Sequence, residues 1–342
     1  MRKYIYNIIG IAASLLLACS CVHQWPESAP ADLTLKLNFE RTIPPFDTIE
    51  VDTKASEAAM LDARYTVEIY RQKGDGDYSR EAIIREVFTR DDLTDLDCEL
   101  KVTVPAEGKY KITVWTDYVD QGTIKNKYYD NSDFKAITVH KHEGNTVFRE
   151  AFVGHLEVDV VRFGTKDAPI VGTVYMCRPQ AKVEFITTDL AEFIEKEIKA
   201  MQNSSGAGTD KPSKVPQSFD FNNYVVRIYY TGYMPYEFDT WRDRPVDAKT
   251  GFSFDSEIIQ KNADEALLGH DLVLVSDEEE TSVMMAVGLY DMTGKELSRT
   301  NPIEVPLRRG MLTTVKGRFM MQDSNGGIAI DPGFIGDYVV QL

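Results

Sequence analysis

Apolar residues recur at every second position in short runs along most of this chain, and turn residues separate the runs. A period of two matches a pleated strand, whose successive side chains face opposite ways; a helix needs 3.6. Leu33, Leu35, Leu37 and Phe39 alternate with Thr34, Lys36 and Asn38, which predicts a strand with one face inward. Tyr65, Val67 and Ile69 repeat the pattern, with Arg64, Thr66 and Glu68 predicted to face outward. Cys98, Leu100, Val102 and Val104 precede Pro105-Ala106-Glu107-Gly108, and Tyr110, Ile112 and Val114 follow it, with Trp115 on the opposite face. The Pro and Gly spacing there predicts a hairpin. Further strands are expected at 135–140, 146–148, 155–162, 182–186, 224–230, 271–275, 282–290, 303–305 and 313–320, with a hairpin turn at Asp291-Met292-Thr293-Gly294. Residues 231–255 read as one long irregular segment. Strands do not alternate with helices, so the pattern favours antiparallel sandwiches over a parallel sheet.

With 342 residues the chain has room for two domains. A turn-rich stretch at 164–178 divides it into an N-terminal sandwich, 33–175, and a C-terminal one, 176–342. The second is expected to carry one helix, about 189–202. Asp189 is placed as its N-cap with Glu192 three residues on, and Leu190, Phe193, Ile194, Ile198 and Met201 trace its apolar stripe.

The first twenty residues read as an address. Arg2 and Lys3 precede an apolar run from Ile8 to Ala18, too short to span a bilayer and of the length of a signal-peptide core. It ends Leu16-Leu17-Ala18-Cys19-Ser20-Cys21, the pattern of a bacterial lipobox. Two registers fit, with Cys19 or Cys21 receiving the lipid. The expected organisation is a lipoprotein signal peptide at 1–20, a proline-containing tether at 21–32, and a covalent diacylglycerol and N-acyl anchor in an outer membrane. No other cofactor is expected. Loss of Arg2 and Lys3 with the leader takes the formal charge from -16 to -18. That sign excludes nucleic acid as a partner, because binding it requires a basic footprint.

Signals of chemistry are sparse. No nucleophile elbow, phosphate loop or dinucleotide fingerprint occurs, and no catalytic residue is nominated. His140 and His142 share one face of a predicted strand but lack a third ligand, so no metal is expected. Cys98 and Cys177 are read as free, buried thiols, with a disulfide between them left open by a location outside the cytoplasm. The most suggestive segment is 232–245, where Tyr233, Tyr236 and Trp241 could meet a partner or a glycan.

Cys21-Val22-His23-Gln24-Trp25-Pro26-Glu27 after the lipobox resembles the opening of Bacteroidales fimbrillin-like lipoproteins. So does Pro105-Ala106-Glu107-Gly108-Lys109-Tyr110 leading to Trp115-Thr116-Asp117, with Tyr128-Tyr129 and Phe148-Arg149-Glu150-Ala151-Phe152. Arg178-Pro179-Gln180-Ala181-Lys182 and Thr187-Thr188-Asp189-Leu190 resemble the start of that family's second domain. Tyr229-Tyr230-Thr231-Gly232, Gly288-Leu289-Tyr290-Asp291, 303–309 and 313–317 extend the likeness. The resemblance implies two transthyretin-like sandwiches, no catalysis, other fimbrial subunits as partners, and a place on the cell outer membrane within a fimbrium. It implies an anchor or accessory subunit that joins its neighbours by strand complementation. Stalk subunits of the family lose an N-terminal strand to an arginine-specific protease, whereas anchors keep theirs. Here no Arg lies between Cys21 and Arg41, which leaves a cut after Arg41 open. The alternative reading is a cell-surface lipoprotein that binds glycan.

Overall fold

The computed structural model describes residues 30–40, 60–74, 76–105, 107–160, 170–205, 219–277, 281–321 and 338–341. The signal peptide, Cys19, Cys21, most of the tether, Arg41 and the span 322–337 lie outside the described residues.

The alternating runs become strands of two sandwiches. In the first, β1 (Ala31–Phe39), β4 (Cys98–Val104) and β9 (Ile170–Met176) form a sheet of order β4-β1-β9. Facing it are β2 (Leu61–Arg71), β3 (Ile84–Arg90), β5 (Gly108–Asp120) and β8 (Phe152–Val160), in order β3-β2-β5-β8. Their inward side chains make one core, with Leu35, Tyr65, Leu100, Val114, Phe152 and Val174 all buried.

In the second sandwich, β10 (Gln180–Thr187), β15 (Ile259–Gln260), β16 (Ala266–Leu274), β20 (Leu312–Gly317) and β21 (Tyr338–Gln341) stand in order β15-β16-β10-β20-β21. The opposing sheet, β14-β11-β17-β18, is built from β11 (Tyr224–Tyr230), β14 (Ser253–Ser256), β17 (Thr281–Asp291) and β18 (Glu296–Arg299). There β19 (Ile303–Leu307) also pairs with β17. The fold is mainly β, and α1 (Leu190–Ser205) is the one α-helix among the described residues.

A fifth sheet has strands from both halves of the chain. It runs β13-β12-β7-β6, where β6 (Tyr129–Asp130) and β7 (Ile137–Val139) meet β12 (Met234–Asp239) and β13 (Arg244–Lys249). The supposed irregular segment 231–255 is thus a hairpin followed by β14.

Four further expectations are corrected. Residues 98–104 and 110–114 do not form a hairpin: β4 pairs with β1, while β5 pairs with β2 and β8, so 105–108 links opposite sheets. Parallel pairing does occur, between β1 and β9, β10 and β20, and β20 and β21. It joins strands far apart in the chain, which periodicity cannot report. Residues 147–149 form a 3-10 turn, not a strand. Arg64, Thr66 and Glu68 are buried because the fifth sheet and the residues leading into it cover the outer face of β2. Arg64 there makes a bidentate pair with Asp117, at 2.8 and 2.6 Å, and also donates to Asn126. Asn131 donates to the Thr66 hydroxyl at 3.0 Å, and Glu68 accepts from Tyr70 and Arg85.

Leu190 and Phe193 of α1 are fully buried, while Met201 is exposed. The Asp189 carboxylate ties the helix start to the chain end of the core, accepting from the N–H groups of Met320 and Met321. Glu192, expected in a capping box, instead pairs with Arg318. Cys98 and Cys177 are both free; Cys98 is half-buried, and Cys177 is exposed rather than buried.

Candidate functional site

Of the three aromatic residues singled out in 232–245, only Tyr233 faces solvent, at 72% exposure. Tyr236 stacks on Phe252 and lies under the Lys249 ammonium, 3.4 Å from the ring centre. Trp241, at the hairpin tip, meets Tyr70 edge-on at 4.7 Å, with Lys111 and Lys135 over its ring at 4.3 and 5.3 Å. Phe238 is buried against Trp115 at 6.2 Å, and Thr240 donates its N–H to the Phe134 carbonyl at 2.9 Å. The hairpin therefore grips the outer face of β2 and β5, and the indole holds it there. Trp241→Ala is expected to cost about 1–3 kcal/mol in urea unfolding, because a half-buried ring and two cation–π contacts vanish together. A change below about 0.5 kcal/mol, the scale of an inert surface site, would show the ring to be idle. A glycan-stacking role would rest on Tyr233.

The second candidate is the place occupied by β1. Leu33, Leu35 and Leu37 are 1–3% exposed, and Phe39 meets Phe152 at 4.9 Å and Tyr65 at 6.2 Å, both edge-on. β1 is hydrogen-bonded on both sides, antiparallel to β4 from Ala31↔Val104 to Leu37↔Cys98 and parallel to β9 from Leu33↔Ile170 to Phe39↔Met176. Outside the core its contacts are light: an exposed Lys36–Glu99 pair at 3.3 Å and an Asp32–Thr103 bond at 2.8 Å. The position is a slot with a greasy floor and two flanking ladders of main-chain donors and acceptors. Any extended chain with alternating apolar residues matches it chemically.

A buried polar cluster lies between the halves. The Arg149 guanidinium donates to Asp271, to the Glu143 carbonyl at 2.9 Å and to the Leu272 carbonyl at 3.1 Å. Asp271 also accepts from the Tyr230 hydroxyl at 2.6 Å and faces His142 Nε2 at 2.8 Å. Tyr129 and Gln180 donate to the Arg149 carbonyl, each at 2.8 Å. Burial alone would raise the Asp271 carboxyl, but Arg149 and His142 outweigh it and hold that carboxyl well below the usual range. His142 is thus committed to Asp271 and to the rings of Tyr230, Phe252 and Phe254, while His140 is exposed. No group of three or more His, Cys, Asp or Glu placed to hold a metal occurs among the described residues. Sequence reading passed over this cluster because its members are scattered; Arg149 and Asp271 are 122 residues apart.

Burial pushes the Tyr129 hydroxyl up to about 12 and raises Tyr230 well above its ordinary value. A free tyrosine ionises near 10, so above that pH the unfolded chain releases protons the fold retains. Stability is full below pH 10 and falls as pH rises toward 12. With circular dichroism and tyrosinate absorbance followed together at rising pH, the last part of the tyrosinate rise should coincide with unfolding; the full absorbance of all 17 tyrosines appearing near pH 10 in a folded chain would refute the burial argument.

The sequence profile of a family described as one of unknown function, DUF6562, matches residues 26–342. The chain belongs to the DUF6562 family. No curated protein matches this DUF6562 member. Among solved structures it is similar to the fimbrial anchor protein Mfa2 from Porphyromonas gingivalis, at 13% identity and TM-score 0.38, over 79% of this chain and 82% of that one. It is similar to a fimbrial assembly protein from Parabacteroides distasonis, at 14% identity and TM-score 0.36, over 84% of this chain and 90% of that one. A candidate cell adhesion protein from Bacteroides eggerthii is 12% identical at TM-score 0.43, over 92% of this chain and 98% of that one.

Proposed function

We propose that this protein is a lipid-anchored fimbrial subunit of the outer membrane, of the anchor or accessory kind, which joins neighbouring subunits by strand complementation. Its work is strand pairing and packing, without catalysis. One observation carries the reading: the first described strand, β1, is the middle strand of its sheet and contributes its apolar face to the core. A central strand that precedes every other described strand can be supplied from elsewhere, because removing it leaves the order of the other described strands intact. β1 ends at Phe39, two residues before Arg41, so a cut after Arg41 would free the whole strand together with the lipid. An anchor keeps it; a stalk-like subunit gives it up and takes a neighbour's strand. The two sandwiches, 33–175 and 176–342, serve as the body that carries the slot.

Mass spectrometry of the mature N-terminus in the native host tests this. An acylated Cys19 or Cys21 with β1 retained is the expected result for an anchor. A lipid-free terminus at Thr42 would replace the anchor with a processed subunit. Membrane fractionation of the Cys19→Ser, Cys21→Ser double variant should find it released, and outer-membrane retention would overturn the lipoprotein reading.

A further inference from the structure

Residues 137–149 belong by sequence to the first half, yet they run through the second. β7 pairs with β12 through Thr138↔Glu237 and Ile137↔Phe238. His142 is enclosed by Tyr230, Phe252 and Phe254. Gly144 lies directly beneath Phe254, where a Cβ would overlap the ring. Asn145 adopts the left-handed conformation, φ 59°, which few residues other than Gly, Asn and Asp accept. In that conformation its N–H donates to the His270 carbonyl at 2.9 Å and its side-chain oxygen accepts from the His270 N–H at 2.9 Å. Val147 packs on Leu272 and Leu312, and Arg149 closes the strip on Asp271. In return the second half gives Phe238 and Leu274 to the first core.

We infer that this strip is an interlock, and that it makes the two sandwiches a single cooperative folding unit instead of two hinged domains. The halves share one sheet, the second half adds Phe238 and Leu274 to the first core, and the first half covers Leu272 and Leu312 with Val147, so unfolding either one strips the partner of buried contacts. It also leaves a buried charge unpaired, with Arg149 on one side and Asp271 on the other. The inference is independent of strand complementation and stands or falls without it.

Hydrogen exchange across a urea series, resolved by peptide on the full-length chain, tests it. Amides of β2 and β5 should lose protection at the same urea concentration as amides of β10 and β16. Asn145→Gly keeps the backbone geometry and the N–H bond to the His270 carbonyl, and deletes the two side-chain bonds, from the His270 N–H at 2.9 Å and to the Asp255 carbonyl at 3.2 Å. It should raise the opening constants of both sets by the same factor, on the order of tenfold for these lost hydrogen bonds. Gly144→Val should lower both midpoints together and further. Separate midpoints in the wild type, or a shift in one half alone for Asn145→Gly, would overturn the interlock. Asn145→Gly remains decisive if Gly144→Val does not fold.

Discussion

Asp271→Asn is expected to remove about 3–5 kcal/mol of folding stability, roughly a fifth or more of what a fold of ordinary stability possesses. The substitution is nearly isosteric and can still bond to Tyr230 and His142, so packing is not the cause. The loss comes from Arg149, which is 2% exposed and would keep its charge in the core without a counter-charge. The pH dependence separates this from a generic core defect. Asp271 is held below the usual carboxylate range in the fold, and unfolded it titrates near 4. Its contribution is present above pH 4 and declines as pH falls below that toward the folded value. The gap between wild type and Asp271→Asn should narrow in acid urea titrations. A constant gap from pH 6 to pH 3 would show that the ion pair is not the source.

Leu35→Asp should abolish the folded state, the second sandwich together with the first. Leu35 is 1% exposed at the centre of β1. Truncation at such a site costs about 2–5 kcal/mol, and an unpaired buried carboxylate costs more still. The strand-slot chemistry then makes a second expectation. A synthetic peptide of residues 31–39, added in trans to the variant, should restore near-ultraviolet circular dichroism. The same peptide carrying Asp at position 35 should not. A variant as stable as wild type would mean that β1 is decoration on a core that closes without it.

The strands were legible in the sequence where one face meets the core and the other meets water. Leu33 to Phe39 reads correctly on its inward face and at Lys36 and Asn38, which lie outside, whereas Thr34, also expected outside, is buried. The reading failed at Arg64, Thr66 and Glu68, whose alternation is genuine but whose outer face is covered by residues more than fifty positions away. Polar residues there signal a second, polar interior and not solvent. Partner choice was equally invisible: nothing in Pro105-Ala106-Glu107-Gly108 says that the chain crosses between sheets there. The 232–245 segment looked irregular because its strands are short and charged, with Pro235 and Pro245 inside them. Its Trp241, named there as a residue that could meet a partner or a glycan, packs on Tyr70 beneath Lys111 and Lys135 and fastens the hairpin. The Arg149–Asp271 cluster left no local trace at all, because each member is an ordinary polar residue until the chain folds.

The position of β1 also decides how the molecule answers a pull. Its bonds to β4 and β9 lie across the strand, seven residue pairs on either side. Tension entering through the tether at Ala31 and running along the strand axis loads all those bonds in shear, so they must break nearly together. A strand at a sheet border, tugged from the side, would peel open one bond at a time. The same slot that chemistry makes replaceable resists a pull along its own axis in a way that a border strand would not.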